Sequence, residues 1–332
     1  MILTVTLNAA LDVTYDVDAV VPRSTHRVRE CRHRAGGKGV NVASVLSRMR
    51  VPVTASGFLG GRTGAEISAD LDARALAHAF FRCTGESRRT VNVVSAADGD
   101  ATIFNEPGPD VTQAEWSALV DGIPGLLIRS RAVVMVLAGS LPRGVPEDAY
   151  ARLVVLARDQ GVRTVVDADG AVLRQAVAAH PDVVKPNLAE LAAATGRGDA
   201  LAAARELQRR GALDVVVSCG PDGAVVLPRG GGRLTARLRP PLSGNPTGAG
   251  DAMVAALAAG LAGGARTQAG GVGPVVPGAG RRGEQGAAGP DWSTAIRQAV
   301  AWSAAAVLQP LAGDVDPDDV TRIAADVELE QR

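Results

Sequence analysis

From about Arg131 the chain alternates apolar runs with amphipathic stretches. Ala132–Ala138 is continuously apolar, the pattern of a strand buried on both faces. A helical period from about Pro146 to Gln160 leads to a strand at Arg163–Asp167, and a helix near Ala171–Ala179 leads to a short strand at Asp182–Lys185. Helices are predicted near Leu188–Thr195 and Asp199–Arg210, and Leu213–Ser218 closes the series as a strand. Alternation of this kind predicts an α/β fold with a mostly parallel sheet between helices.

The N-terminal third is less regular. Leu3–Leu7 reads as a core strand, and Gly39–Arg50 and Thr63–Leu76 read as helices. Two β-rich, more polar stretches, Val13–Arg34 and Thr90–Phe104, predict a small separate sheet outside the main layer, serving as a lid or a dimer surface. Gly263–Pro290 is rich in Gly, Pro and Ala, with scattered Arg and no hydrophobic period. Such a composition does not offset its ordering entropy, so a flexible insertion is expected between a helix starting near Gly248 and one starting near Trp292. No internal repeat interrupts this picture, and a single domain over 1–332 is expected.

Composition narrows the partners. Apolar residues make up 46% of the chain but aromatics only 3%, so the core rests on Ala, Val and Leu. Lys+Arg and Asp+Glu are both 35, a balance that argues against a nucleic-acid partner held by basic surface. Cys31, Cys83 and Cys219 are odd in number and far apart, and four histidines are few. Neither a disulfide framework nor a zinc centre is expected. The N-terminus reads as a strand and not a signal peptide, and no apolar run approaches the ~20 residues of a membrane span. A cytoplasmic location and no membrane partner are the expectation.

Two glycine motifs carry candidate chemistry. Thr247-Gly248-Ala249-Gly250-Asp251 precedes the apolar helical stretch Ala252–Leu261. Small residues at a helix start expose backbone N–H groups to an approaching phosphate, and a carboxylate in that first turn can take a proton from an attacking hydroxyl. The same residues also suit an ordinary helix start, with Thr247 as cap and Asp251 complementing the dipole. The second motif is Gly36-Gly37-Lys38-Gly39-Val40-Asn41-Val42-Ala43. It is neither a Walker A loop nor the dinucleotide fingerprint, which counts against a dehydrogenase. Asn41, one turn into the helix, can donate and accept at once, as a sugar hydroxyl requires; a tight turn with a solvated lysine is the plainer reading.

In this order, the two segments resemble the paired signatures of the PfkB (ribokinase-like) carbohydrate kinases. Asn8-Ala9-Ala10-Leu11-Asp12, Gly139-Ser140-Leu141-Pro142, Lys185-Pro186-Asn187-Leu188-Ala189-Glu190-Leu191 and Ser218-Cys219-Gly220-Pro221-Asp222-Gly223 also fall in family order. The resemblance implies a three-layer α/β/α domain with a small β lid, ATP as phosphoryl donor, Mg²⁺, and a homodimer formed through the lid. It gives Asp251 the role of general base, with Gly248, Ala249 and Gly250 as its anion hole. Asp12, Gly36, Gly37 and Asn41 would meet the sugar. Lys38 and Arg88 would meet a phosphate already on it, with Ser140 and Arg27 helping. Asn187, Ser218, Gly220, Gly223, Gly248 and Gly250 would lie along the nucleotide, and Glu190 with Asn187 would order Mg²⁺ through water. Two departures stand out: Ala9 occupies a place where proline is usual, and Asn245-Pro246 replaces a small polar pair.

Lys38, Arg88 and Asn105-Glu106-Pro107-Gly108-Pro109 are similar to the hexose-phosphate branch, and the Gly36–Ala43 segment looks most like the 1-phosphofructokinases. The expected reaction is ATP-dependent conversion of fructose 1-phosphate to fructose 1,6-bisphosphate. Tagatose 6-phosphate and fructose 6-phosphate are the rival substrates, and a catalytically silent sugar-phosphate or nucleotide-binding protein is the non-kinase alternative.

Overall fold

The structure is a computed structural model that describes residues 1–97, 100–269 and 289–332, without the side chains of 265–269. Its elements in chain order begin with β1 (Ile2–Thr6), β2 (Ala10–Val17), β3 (Glu30–Gly36), α1 (Lys38–Arg48), β4 (Val53–Gly60), α2 (Gly61–Ala73) and β5 (Phe81–Cys83). Next come β6 (Arg88–Ser95), β7 (Ala101–Asn105), α3 (Gln113–Ser130), β8 (Val134–Ala138), α4 (Ala149–Asp159), β9 (Arg163–Asp167) and α5 (Gly170–Ala178). The series continues with β10 (Val183–Val184), α6 (Leu188–Thr195), α7 (Ala200–Arg210), β11 (Asp214–Ser218), β12 (Ala224–Leu227) and β13 (Leu234–Leu238). It ends with α8 (Ala249–Ala269), α9 (Trp292–Val307), α10 (Pro317–Asp326) and β14 (Val327–Gln331).

A 10-stranded sheet runs β14-β13-β12-β11-β10-β9-β8-β1-β4-β5. Pairing is parallel from β11 to β5 and antiparallel from β11 out to β14. The side-chain period of two sends successive residues to opposite faces. Ile2, Val134, Val136 and Val165 join the core under α1, α8 and α9, whereas Leu3, Val5, Met135, Leu137 and Val166 join the core under α3, α4 and α5. Burial on both faces explains why these strands read as unbroken apolar runs. This is the three-layer α/β/α architecture.

A second sheet, β3-β2-β6-β7, stands apart. It takes in Ala10 and Gly36, so Asp12 lies within it, opposite Arg34 on β3 and Thr90 on β6. Its strand β7 is exposed along its length.

Two differences from the sequence-based expectations have physical causes. Helix α3 falls where no element was expected: Pro124 and two glycines blur a stripe of Trp116, Leu119, Ile123, Leu126 and Leu127, all buried. A reciprocal cap between Thr112 and Glu115 starts it regardless. Helix α8 runs on to Ala269, past Gly263, where a loop was expected to begin. Once nucleated by the buried Ala252–Leu261 turns, a helix extends by one hydrogen bond per residue, and its alanines offset the ~1 kcal/mol that each of Gly260, Gly263 and Gly264 costs. The rest of the expected flexible insertion, 270–288, lies outside the described residues, and α9 begins at Trp292.

Strand order reverses at β1, between β8 and β4. In open α/β sheets the crevice at the carboxyl ends of strands beside such a reversal is where ligands bind. The small sheet branches from the chain at that end.

Candidate active site

The chain leaves the strands at this crevice through polar residues. Asn8 follows β1, Gly139 and Ser140 follow β8, Asp167 ends β9, Lys185 follows β10 and Ser218 ends β11. Helix α8 aims its first turn into the same space. Gly248 there has φ +86°, and a Cβ on it would come within 2.9 Å of Ala312 Cα, so only glycine fits the turn. Asn245, not Thr247, organises the approach: its Oδ1 accepts from the Thr247 amide at 3.0 Å and its Nδ2 donates to the Pro310 carbonyl at 3.1 Å. The Ala249 amide donates back to Pro246, while those of Gly250 and Asp251 have no acceptor among the described residues.

Asp251 is 7% exposed and accepts a 2.8 Å hydrogen bond from Asn41 Nδ2 on α1. Burial, reinforced by the neighbouring Asp167, pushes its carboxyl up to about 7, against the opposing pull of Asn41, Lys38 and Lys185. A carboxyl poised there can take up a proton near neutrality.

Beside it lies a charge cluster. Asp167 is fully buried, and its Oδ1 sits 3.5 Å from Lys38 Nζ and 3.4 Å from Lys185 Nζ. Its Oδ2 has no hydrogen-bond partner among the described residues. Lys185, 4% exposed, also approaches the Gly248–Asp251 turn: a Cβ on Gly250 would be 3.7 Å from its Nζ. Burial opposes the Lys38 charge, but Asp167, Glu190 and Asp251 outweigh it and hold the ammonium well above its ordinary range.

Asn187 and Glu190 start α6 as a capping box. The Asn187 side chain accepts from the Glu190 amide and the Glu190 carboxylate accepts from the Asn187 amide, each at 2.8 Å. The Asn187 oxygen is thus engaged in the cap, and Glu190 Oε1 is left facing Lys38 Nζ at 3.7 Å. Among the described residues no group of three or more acidic, His or Cys side chains could hold a metal directly. The donors present, Glu190 Oε1 and the unpartnered Asp167 Oδ2, suit a magnesium ion that keeps its waters and is bound chiefly through nucleotide phosphates.

On the other side of the crevice, Asp12 and Arg88 face one another. Burial pushes the Asp12 carboxyl up to about 6, against the pull of Arg88, Thr90 and Arg34. A Cβ on Gly36 would lie 2.0 Å from Asp12 Oδ2, so glycine is required where the backbone passes that carboxylate. Arg88 donates to the Asn8 carbonyl at 3.1 Å, to Thr90 at 3.2 Å and to Asn105 at 3.3 Å. Asn8 Nδ2 in turn donates to Ser140 Oγ and the Pro107 carbonyl, each at 3.1 Å. Lys38 and Arg88 therefore belong to different clusters of the cleft, rather than to a single pair.

Gly37, Ser140, Ser218, Gly220 and Gly223 line the same cleft of about 2290 Å³ as Asp12, Lys38, Asn41, Arg88, Asn187, Glu190 and Asp251. That volume exceeds the usual range of ~300–1,000 Å³ for one small ligand. Arg27 is not brought to it: it is exposed, on the loop between β2 and β3, and makes no hydrogen bond or ion pair among the described residues. Three residues escaped sequence reasoning as site residues: Asn8, Asp167 and Lys185. The available signal was position, since each is a polar residue just at or after the end of a buried parallel strand.

A family model described as pfkB family carbohydrate kinase matches residues 5–319. The chain is 40% identical over 268 residues to 1-phosphofructokinase of Xanthomonas campestris pv. campestris, covering 78% of this chain and 83% of that protein. It is 39% identical over 261 residues to 1-phosphofructokinase of Rhodobacter capsulatus, covering 77% and 82%. Among solved structures, phosphofructokinase-2 from Escherichia coli in complex with potassium superimposes with a TM-score of 0.84 at 28% identity, covering 98% of each chain. The chain belongs to the pfkB family of carbohydrate kinases.

Proposed function

We propose that this carbohydrate kinase transfers the γ-phosphoryl group of ATP to a ketohexose phosphate, with fructose 1-phosphate as acceptor and fructose 1,6-bisphosphate as product. The observation that carries the chemistry is the placing of the buried Asp251 carboxyl beside the unbonded Gly250 and Asp251 amides and the Lys38 and Lys185 ammonium groups. In this reading Asp251 takes the proton of the acceptor hydroxyl as its oxygen bonds to the γ-phosphorus. The bond from that phosphorus to the bridging oxygen breaks, and ADP leaves. The amides of the Gly248–Asp251 turn and the two lysines stabilise the charge spread over the transferring group. Magnesium, when bound with ATP, neutralises phosphate charge, and Glu190 and Asp167 are the carboxylates to order its waters. Asn187 acts by fixing Glu190.

The substrate assignment rests on Arg88 and on the relatives. Arg88 is half-buried beside Asp12, Asn8 and Asn105, a setting for a charge-assisted contact to a phosphate already on the sugar, with Asp12 taking sugar hydroxyls. Both curated relatives carry the name 1-phosphofructokinase. A second acceptor is favoured by one neighbour, phosphofructokinase-2 from Escherichia coli in complex with fructose-6-phosphate, 28% identical with a TM-score of 0.82. The buried Asp251 carboxyl beside the unbonded turn amides favours turnover over a silent binding role. An ADP-release assay over fructose 1-phosphate, fructose 6-phosphate, tagatose 6-phosphate and fructose tests the reading. The highest kcat/KM is expected for fructose 1-phosphate; turnover of fructose alone, or of none, overturns it.

The same reading includes a cytoplasmic enzyme and a homodimer formed through the small sheet. Among the described residues no helix is long and apolar enough to cross a membrane. Val20, Val21, Val28, Ile103 and Phe104 are exposed on that sheet and its loop, an apolar surface suited to a second copy. Sedimentation of the purified chain checks it, and Phe104→Asp is expected to give monomers.

A further inference from the structure

The two glycine motifs are joined by a third segment, the strap 312–314 between α9 and α10. Ala312 packs on the anion turn, with its Cα 2.9 Å from where a Gly248 Cβ would be. Gly313 lies against α1: a Cβ there would be 3.1 Å from both Cα and Oδ1 of Asn41, the residue that holds Asp251. On the other side the strap is tied to the small sheet. Arg34 on β3 donates from Nη2 to the Gly313 carbonyl at 3.3 Å and pairs with Asp314 at 3.7 Å. Arg48 on α1 grips Asp314 with two contacts, Nε to Oδ1 at 2.7 Å and Nη2 to Oδ2 at 3.2 Å. Arg34 and Asp314 are mostly buried, with side chains 16% and 17% exposed, so solvent screens their pairing little.

From these contacts we infer that Arg34 is a positioning residue for Asp251. Through the strap it presses Gly313 onto Asn41, and so fixes the amide that orients the carboxyl, while Ala312 holds the Gly248 turn in register. Because Arg34 sits opposite Asp12 in the small sheet, the alignment of the base depends on where that sheet stands. The sugar-side sheet and the phosphoryl-side turn are thereby coupled by packed atoms and two hydrogen-bonded arginines. This inference rests on the reading of Asp251 as base.

The test is a double-mutant cycle in steady-state kinetics with ATP and fructose 1-phosphate, or whichever acceptor the ADP-release panel selects. Arg34→Ala is expected to lower kcat about 10- to 100-fold, the scale of a displaced reacting group, while the acceptor KM moves less than about threefold. Arg34→Lys, which keeps a charge for Asp314, should recover much of the loss. Placed on Asp251→Asn, Arg34→Ala should lower kcat by less than about threefold, because the group it positions is already lost. An unchanged kcat in Arg34→Ala, a loss confined to KM, or a full multiplicative loss on Asp251→Asn would each overturn the inference. Should Arg34→Ala fail to fold, Asp314→Asn carries the test, with the same fall in kcat expected and an unchanged kcat contradicting it. Near-normal kcat in Asp251→Asn alone would instead overturn the reading of the base.

Discussion

Asn41 Nδ2 donates a 2.8 Å hydrogen bond to Asp251 Oδ2, joining two helix starts that lie 210 positions apart in the chain. The bond favours the ionised carboxylate, while burial and Asp167 favour the protonated acid, and the balance sits near neutrality. Removing the donor shifts that balance. Asn41→Ala is expected to move the acid limb of kcat/KM alkaline by roughly half to one pH unit. Activity at pH 7 should fall roughly two- to sixfold and recover near pH 9, and a limb that stays in place would show that Asn41 does not tune the base.

The pH dependence of the unaltered enzyme follows from the two raised carboxyls. As the proposed base, Asp251, at about 7, must be ionised to accept a proton, so kcat/KM should rise with pH through about 7 and then level. Asp12, at about 6, steepens the limb at its acid end. A flat profile between pH 5.5 and 8 contradicts both assignments.

Stability should move in the opposite sense. A folded-state pKa above the unfolded value means that the native protein holds a proton which the unfolded chain has released. The contribution of Asp251 is therefore fully present below about 4 and is lost as pH rises through about 7. Asp251→Asn removes that loss, so its Tm is expected to exceed that of the parent by roughly 2–6 °C at pH 8, with the difference closing towards pH 5. Thermal melts at the two pH values check the sign.

Asp167 anchors two lysines on one oxygen. Asp167→Asn leaves Lys185, 4% exposed, without its ion-pair partner. Breaking one side of a buried pair costs about 3–5 kcal/mol, which denaturant unfolding would register directly. A loss below about 1 kcal/mol would show that the lysines find other partners.

Arg88 reads the acceptor's own phosphate in this account. Arg88→Ala should cost on the order of 2–4 kcal/mol in kcat/KM for the phosphorylated sugar and much less for fructose. Equal losses on both would remove the assignment.

The parallel core was legible in the sequence because burial on both faces leaves an unbroken apolar run, as at Val134–Ala138. The antiparallel edge β12–β14 was not, because Val225, Thr235 and Glu330 alternate in short, mixed stretches whose pairing is set by distant partners. Local glycine motifs exposed Asp251, Lys38 and Asn41, since each lies in or beside the first turn of a helix that a run of glycines opens. Asp167 and Lys185 stayed hidden, because their meaning comes from register: β9 and β10 end side by side, and no local pattern records that. Asn187 and Glu190 were read as a pair ordering magnesium, and their reciprocal cap at the start of α6 went unread beside that reading.

If Asp251 removes the proton of the acceptor hydroxyl, a single substitution there must abolish most turnover. Asp251→Asn keeps the shape and can still accept from Asn41, but it cannot take up that proton. In a folded protein, kcat is expected to fall by about two to four orders of magnitude, with the KM for ATP and for the acceptor little changed. A folded Asp251→Asn enzyme that turns over within about threefold of the parent would contradict it.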